Sequence, residues 1–318
     1  MTSTSTPPAI AVTGLRKSFG DNVVLDGIDL TVPQGTVYSL LGANGAGKTT
    51  TVKILSTLST ADSGDIRVAG HDLSTEPDAV RAAIGVTGQF SAVDNLLTGT
   101  ENMHLMADLH HLSGKAGRRR TVELLEQFDL VDVAGKPVST YSGGLRRRLD
   151  LAMTLVGNPR IIFLDEPTTG LDPRSRRGVW QIVRDLVADG VTIFLTTQYL
   201  DEADDLADRI AVLDKGRLVA EGTADELKRR VPGGHVSLRF TDPLRFDAAA
   251  RVLDPASRDN SALVLRVAND GSLRSLRTLI ERLDHDDIEV DELSVHTPDL
   301  DDVFFALTGN PSTEKVNS

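Results

Sequence analysis

Three short apolar runs, residues 37–41, 161–164 and 191–195, each stop at a cluster of polar residues, and longer stretches of helical periodicity separate them. Runs of this length rich in Val, Ile, Leu and Phe suit strands covered on both faces. Their alternation with helical segments from Ile10 to about Glu221 specifies an α/β domain around a largely parallel sheet. Ligands of such sheets bind beyond the carboxyl ends of the strands, so three polar clusters after three buried strands predict one shared site.

The first cluster is the most informative. Gly42-Ala43-Asn44-Gly45-Ala46-Gly47-Lys48-Thr49 fits G-x-x-x-x-G-K-[ST] and stands between an apolar strand and a helical run expected over residues 50–58. Glycines let the backbone curl so that successive N–H groups, and the start of the following helix, face phosphate oxygens. Lys48 then reaches the β- and γ-phosphates, Thr49 is a ligand for Mg²⁺, and Thr50 continues the cradle. Chance produces this four-position pattern in roughly one chain of this length in a hundred. A nucleoside triphosphate is therefore the expected ligand.

The second cluster, Asp165-Glu166, closes the strand that begins at Ile161. Asp165 is the expected holder of Mg²⁺, and Glu166 beside it is the candidate to polarise an attacking water. Between the two clusters, Tyr141-Ser142-Gly143-Gly144-Leu145-Arg146 opens an amphipathic run. Ser142 suits a helix N-cap, and the two glycines expose N–H groups at the same helix start, making a second anion-binding terminus. One nucleotide rarely needs two such termini from one domain.

These residues resemble the ATP-binding cassette (ABC) family, over about Ile10 to Arg230. The resemblance implies that two copies pair head to tail, the phosphate loop of one and the Ser142-Gly143-Gly144 helix of the other enclosing each ATP with its Mg²⁺. It assigns Phe19 to adenine stacking, Gln89 to a loop touching Mg²⁺ or water and coupling to a permease, Asp172 to the turn after the acidic strand, and Gln198 to the end of the next strand. Gly88-Gln89-Phe90, the Tyr141 to Arg148 segment, Thr196-Thr197-Gln198-Tyr199-Leu200-Asp201-Glu202-Ala203-Asp204 and Asp301-Asp302-Val303-Phe304 look like the daunorubicin-resistance branch of bacterial drug and antibiotic exporters. In that branch the ATPase is a separate chain on the cytoplasmic face of the membrane, partnered by an integral membrane permease that binds the exported drug. The alternative in the same family is a soluble ATPase with a regulatory or nucleic-acid role.

Gln198 departs from the family, in which most members carry histidine there. A glutamine amide donates a hydrogen bond but holds neither a proton nor a positive charge near neutral pH, so its expected part is positioning, with Glu166 as the base. His104, His110 and His111 show no metal-ligand spacing and are assigned to surface or packing. Arg146, Arg147 and Arg148 are taken as an exposed helix face.

Composition bears on partners. The net charge of −12 argues against nucleic acid, and no segment approaches the roughly 20 apolar residues that span a bilayer. The absence of cysteine excludes disulfides and thiolate chemistry. Residues 231–318 carry 9 Lys and Arg against 16 Asp and Glu, so the acidity is regional. The expected organisation is a loose leader over 1–8, an α/β P-loop NTPase domain of the ABC ATPase type over 9–230 with a helical subdomain at about 90–158, a small α+β domain over 231–310, and a loose tail over 311–318. In the small domain, strands are predicted at 235–240, 262–267 and 288–295. Helices are predicted at 246–253, 272–283 and 300–307, the last with a stripe of Leu300, Val303, Phe304 and Leu307.

Overall fold

The computed structural model describes residues 7–88, 92–230, 234–269 and 272–308. Gln89, most of the leader, Val231-Pro232-Gly233 and the tail after Thr308 lie outside the described residues. Contacts divide the chain into two compact units, Met1–Ala224 and Asp225–Ser318.

The first unit opens with β1 (Ile10–Phe19) and β2 (Asn22–Val32), followed by β3 (Val37–Leu41) and helix α1 (Lys48–Leu55). Next come β4 (Ser63–Val68), β5 (His71–Asp72), α2 (Pro77–Ala83) and β6 (Ile84–Thr87). Helices α3 (Gly99–Leu109), α4 (Gly114–Gln127) and α5 (Gly143–Thr154) lead to β7 (Ile161–Asp165) and α6 (Pro173–Ala188). The unit ends with β8 (Thr192–Thr197), α7 (Leu200–Leu206), β9 (Arg209–Asp214) and β10 (Arg217–Gly222).

Strands β9, β3, β8, β7 and β6 pair in parallel in that order, with β10 antiparallel on the β9 edge. Strands β2, β1, β4 and β5 form a separate antiparallel sheet. The period of two along the central strands sends alternate side chains into two cores. Phe163, Phe194, Tyr38 and Leu40 join the residues of the antiparallel sheet and Val52, Ile54 and Leu55 of α1. Ile162, Leu164, Ile193 and Leu195 join α5, α6 and the helical layer of Met103, Leu124, Phe128 and Leu149. Each side chain fully buried in this way contributes roughly 1.5–3 kcal/mol relative to exposure.

Two elements differ from expectation in ways that shape the site. Helix α1 starts at Lys48 and stops at Leu55, because Thr57 takes a left-handed φ of 65° and closes the last turn. Strand β8 runs on through Thr196 and Thr197, both fully buried. Polar by composition, these threonines are β-branched and have their hydroxyls bonded within the protein.

The arginine run is corrected outright. Successive helical residues point about 100° apart, so three in a row cannot line one face. Arg147 turns inward and is 8% exposed, Arg148 pairs with Asp129 at 3.2 Å, and Arg146 is half-buried.

Helix α8 (Ala224–Lys228) begins at the last residue of the first unit, and the second unit continues with β11 (His235–Arg239), α9 (Pro243–Leu253), β12 (Ser257–Asp259) and β13 (Val264–Ala268), then α10 (Leu273–His285), β14 (Glu292–His296) and α11 (Leu300–Thr308). Its antiparallel sheet has the order β12-β13-β11-β14. Val236, Leu238, Leu265 and Val267 pack on Phe246 and Leu253 of α9 and on Leu279 and Leu283 of α10. Strand β12 has no counterpart among the predicted elements, since its three residues are polar and exposed and carry no apolar signal. In α11, Leu300 and Val303 are buried, and Phe304 and Leu307 are half-buried.

Candidate functional site

The loop between β3 and α1 depends on glycine at position 47. Its φ is +113°, and a Cβ there would lie 2.7 Å from Leu25 Cδ2 and 3.0 Å from the Val24 carbonyl oxygen, so neither conformation nor space admits a side chain. Ala43, Asn44 and Gly45 are exposed at the crest of the loop, with Gly42, Ala46 and Gly47 beneath them and Thr49 and Thr50 half-buried at the start of α1.

Lys48 folds back over this loop. Its Nζ donates to the carbonyls of Gly42 at 2.8 Å and Ala43 at 3.2 Å, and it stands 3.3 Å from Glu166 Oε1. Both side chains are nearly buried, 4% and 8% exposed. Glu166 Oε2 accepts from the Thr169 hydroxyl at 3.3 Å.

Asp165 and Glu166 are aimed by the end of β7 and the neighbouring β8. Glu166 has a left-handed φ of 49°, a conformation unusual for a side-chain-bearing residue. Its N–H donates to both the carbonyl and the hydroxyl oxygen of Thr196 at 3.1 Å. The Thr196 hydroxyl donates in turn to Asp165 Oδ1 at 2.6 Å, and the Thr49 hydroxyl donates to the same oxygen at 3.2 Å. A hydroxyl and a largely buried carboxylate so close together suit Mg²⁺, which takes hard oxygen ligands, one or two of them carboxylates, with phosphates and water completing the shell.

One chain brings Lys48, Thr49, Asp165 and Glu166 together, with Gln198 half-buried directly after β8. It does not bring Ser142 to them. Among the described residues, the Ser142 hydroxyl serves as the N-cap of α5, accepting from the Leu145 N–H at 3.3 Å, and has no hydrogen bond to the loop. Ser142 and Gly143 are exposed. Asp172 caps α6, its carboxylate accepting from the N–H groups of Arg174 and Ser175 and from the Ser175 hydroxyl at 2.7 Å. A Cβ on Gly144 would fall 2.6 Å from that hydroxyl, so the starts of α5 and α6 touch. Phe19 ends β1 in the other sheet, 56% exposed, with Lys17 Nζ 5.3 Å from its ring centroid.

The sequence profile of the ABC transporter family matches residues 25–169. The daunorubicin resistance ATP-binding protein DrrA3 of Streptomyces coeruleorubidus is 48% identical over 95% of this chain and 96% of its own length. The chain belongs to the ABC transporter family. A Nod factor export ATP-binding protein of Ralstonia nicotianae is 35% identical over 95% of this chain and 94% of its own length. Among solved structures, the ATP-binding subunit of an ABC transporter superposes with a TM-score of 0.62 at 28% identity, covering 70% of this chain and 92% of that one. The ABC chain is accordingly an ATPase with the P-loop NTPase fold, and the loop of Gly42 to Thr49 lies inside the matched profile.

Two residues of this ABC ATPase escaped the sequence reading. Thr196 links the two acidic residues as described. Glu202, on α7, is fully buried, and its Oε1 accepts from the Thr168 hydroxyl at 2.8 Å and the Trp180 indole N–H at 3.1 Å. A signal existed: Glu202 shares the inward face of α7 with Ala203 and Leu206. Burial holds its carboxyl above the ordinary range, against the hydrogen bonds that lower it. The folded chain thus binds this proton more tightly than the unfolded chain does. Its contribution favours folding at low pH and is lost as pH rises from the ordinary carboxylate value through the raised one. Glu202→Gln should flatten that decline and unfold at higher temperature on the alkaline side. Glu202→Ala strands the Thr168 and Trp180 donors and should lose about 1–3 kcal/mol. Calorimetry of both variants across weakly acidic to weakly alkaline pH checks this.

Proposed function

We propose that the chain is the ATP-hydrolysing subunit of an exporter of drugs or antibiotics of the daunorubicin type, working at the cytoplasmic face of the membrane through a separate permease. The observation that carries this reading is the reach of the likeness: 48% identity to a daunorubicin resistance ATP-binding protein spans both compact units rather than the cassette alone. Among the described residues no helix is long and apolar enough to cross a membrane, and in this reading the translocation path lies in the permease.

In the site, Lys48 exchanges its carbonyl and carboxylate contacts for the β- and γ-phosphates of ATP, which are better acceptors. Residues Gly42 to Thr50 supply N–H groups to the phosphates, and Phe19 stacks on the adenine. Thr49 and Asp165 would hold Mg²⁺, which would supply neutralisation of the phosphate charge, and the resemblance adds Gln89, outside the described residues, to that set. Release of Glu166 from Lys48 frees its carboxylate to take a proton from the attacking water, while the Gln198 amide orients that water by hydrogen bonding. Ser142 and Gly143 are exposed and, among the described residues, the Ser142 hydroxyl has no hydrogen bond to the loop of its own chain, which supports these residues and Gly144 serving a second copy, with Asp172 at the same junction. Two copies enclosing two ATP molecules, and separating after hydrolysis, would drive the permease.

Membrane vesicles carrying the chain and its permease should take up daunorubicin when ATP is supplied, and vesicles with Glu166→Gln should not. Vigorous phosphate release without ATP-dependent uptake of any anthracycline would remove the drug-export reading and leave the ATPase.

A further inference from the structure

Helix α5 presents a polar stripe, Arg147, Asp150 and Thr154, to β6 and the chain that follows it. The Thr154 and Thr87 hydroxyls are 2.8 Å apart, and a Cβ on Gly85 would lie 2.5 Å from Thr154 Cγ2, so helix and strand are in close contact. Two turns earlier along the helix, Arg147 Nη1 donates to the Gly88 carbonyl at 3.1 Å and to Asp150 Oδ2 at 3.1 Å. Asp150 Oδ1 accepts the Ala92 N–H at 3.2 Å. One ion pair therefore grips Gly88 and Ala92, the residues on either side of the segment containing Gln89, and fastens both to the helix that Ser142 caps.

Stability does not explain this arrangement. The two side chains are 9% and 4% exposed, and well-packed apolar residues commonly replace such a buried pair with no loss. Arg147 Nε and Nη2 are buried and donate to no acceptor among the described residues, where the guanidinium uses one nitrogen. Unused buried donors of this kind ask for a reason other than packing.

We propose that Arg147 and Asp150 are positioning residues that fix Gly88 and Ala92, the residues flanking the Gln89 segment, to the Ser142-capped helix, so that these flanks and the start of α5 move as a single body. This rests on the functional reading above, in which Gln89 serves the subunit's own ATP and Ser142 the partner's. Neither Arg147 nor Asp150 touches nucleotide; they act through Gly88, Ala92 and the helix.

The double variant Arg147→Met, Asp150→Leu removes both charges and keeps the volume. Its thermal midpoint and ATP affinity should match the unmodified chain, while kcat for ATP hydrolysis falls about tenfold, within the usual range of coupling between sites. A loss confined to stability, or an unchanged kcat, overturns the proposal. Gln89→Ala, assayed beside it, separates the two ideas. If Gln89→Ala turns over normally, the reading of that segment fails; if it is slow while the double variant is normal, only the positioning role fails. A measurement on the intact pair covers the case in which the double variant does not fold. The chain has no cysteine, so spin labels on Ala92→Cys and Arg146→Cys are unique. Their separation should stay constant between nucleotide-free and ATP-bound protein, and a change on ATP binding refutes the single-body motion.

Discussion

Glu166→Gln is expected to reduce ATP turnover by at least about a hundredfold, the lower end of what a positioned general base supplies, while ATP stays bound and the two subunits stay closed. The carboxamide has nearly the shape of the carboxylate and keeps an oxygen toward Lys48, so binding is preserved and only proton acceptance is lost. The aim of this side chain is set by the backbone. Its left-handed φ of 49° and the double acceptance of its N–H by Thr196 orient the carboxyl independently of its charge. Phosphate release measures turnover, and gel filtration with ATP measures dimer. Turnover within a few-fold of the unmodified chain would take the base role from Glu166, and Gln198 could not inherit it, since an amide accepts no proton at these pH values.

Lys48→Ala should weaken ATP binding by about two orders of magnitude, the effect of removing one member of a desolvated, hydrogen-bonded charge pair. The same change leaves Glu166, 8% exposed, without its cation, so part of the damage falls on the fold rather than on the ligand. Adding Glu166→Gln to Lys48→Ala separates the two effects. The double variant should regain thermal stability, because no unpaired carboxylate remains, and should not regain ATP affinity, because the cation that meets the phosphates in the proposed site is still missing. Titration calorimetry with ATP and thermal unfolding of the three variants check both halves. Recovery of affinity in the double variant would mean that Lys48 acts on ATP only by holding Glu166.

What could be read without the structure followed from local chemistry. The loop from Gly42 to Thr49, the acidic end of β7 and the Ser142 cap each rest on residues a few positions apart, and each stands as expected in the chain. Residues whose role comes from distant partners were not legible. Arg147 was assigned to solvent because an arginine run usually is, and its acceptor Gly88 lies 59 residues away. Glu202 was passed over for the same reason, its donors Thr168 and Trp180 lying 34 and 22 residues away. Periodicity counts polar side chains as outward, and it fails where tertiary hydrogen bonds replace water. Strand β12 was invisible for the opposite reason, being an edge with nothing to bury.

The contact between Gly144 and Ser175 narrows the paths by which this protein can change. A methyl group at position 144 would collide with a hydroxyl that Asp172 holds in place, so the start of α5 is confined from behind by α6. A side chain there displaces the Ser175 hydroxyl, and displacing it removes a hydrogen bond from the cap of α6. Positions 144, 172 and 175 are thereby coupled in inheritance.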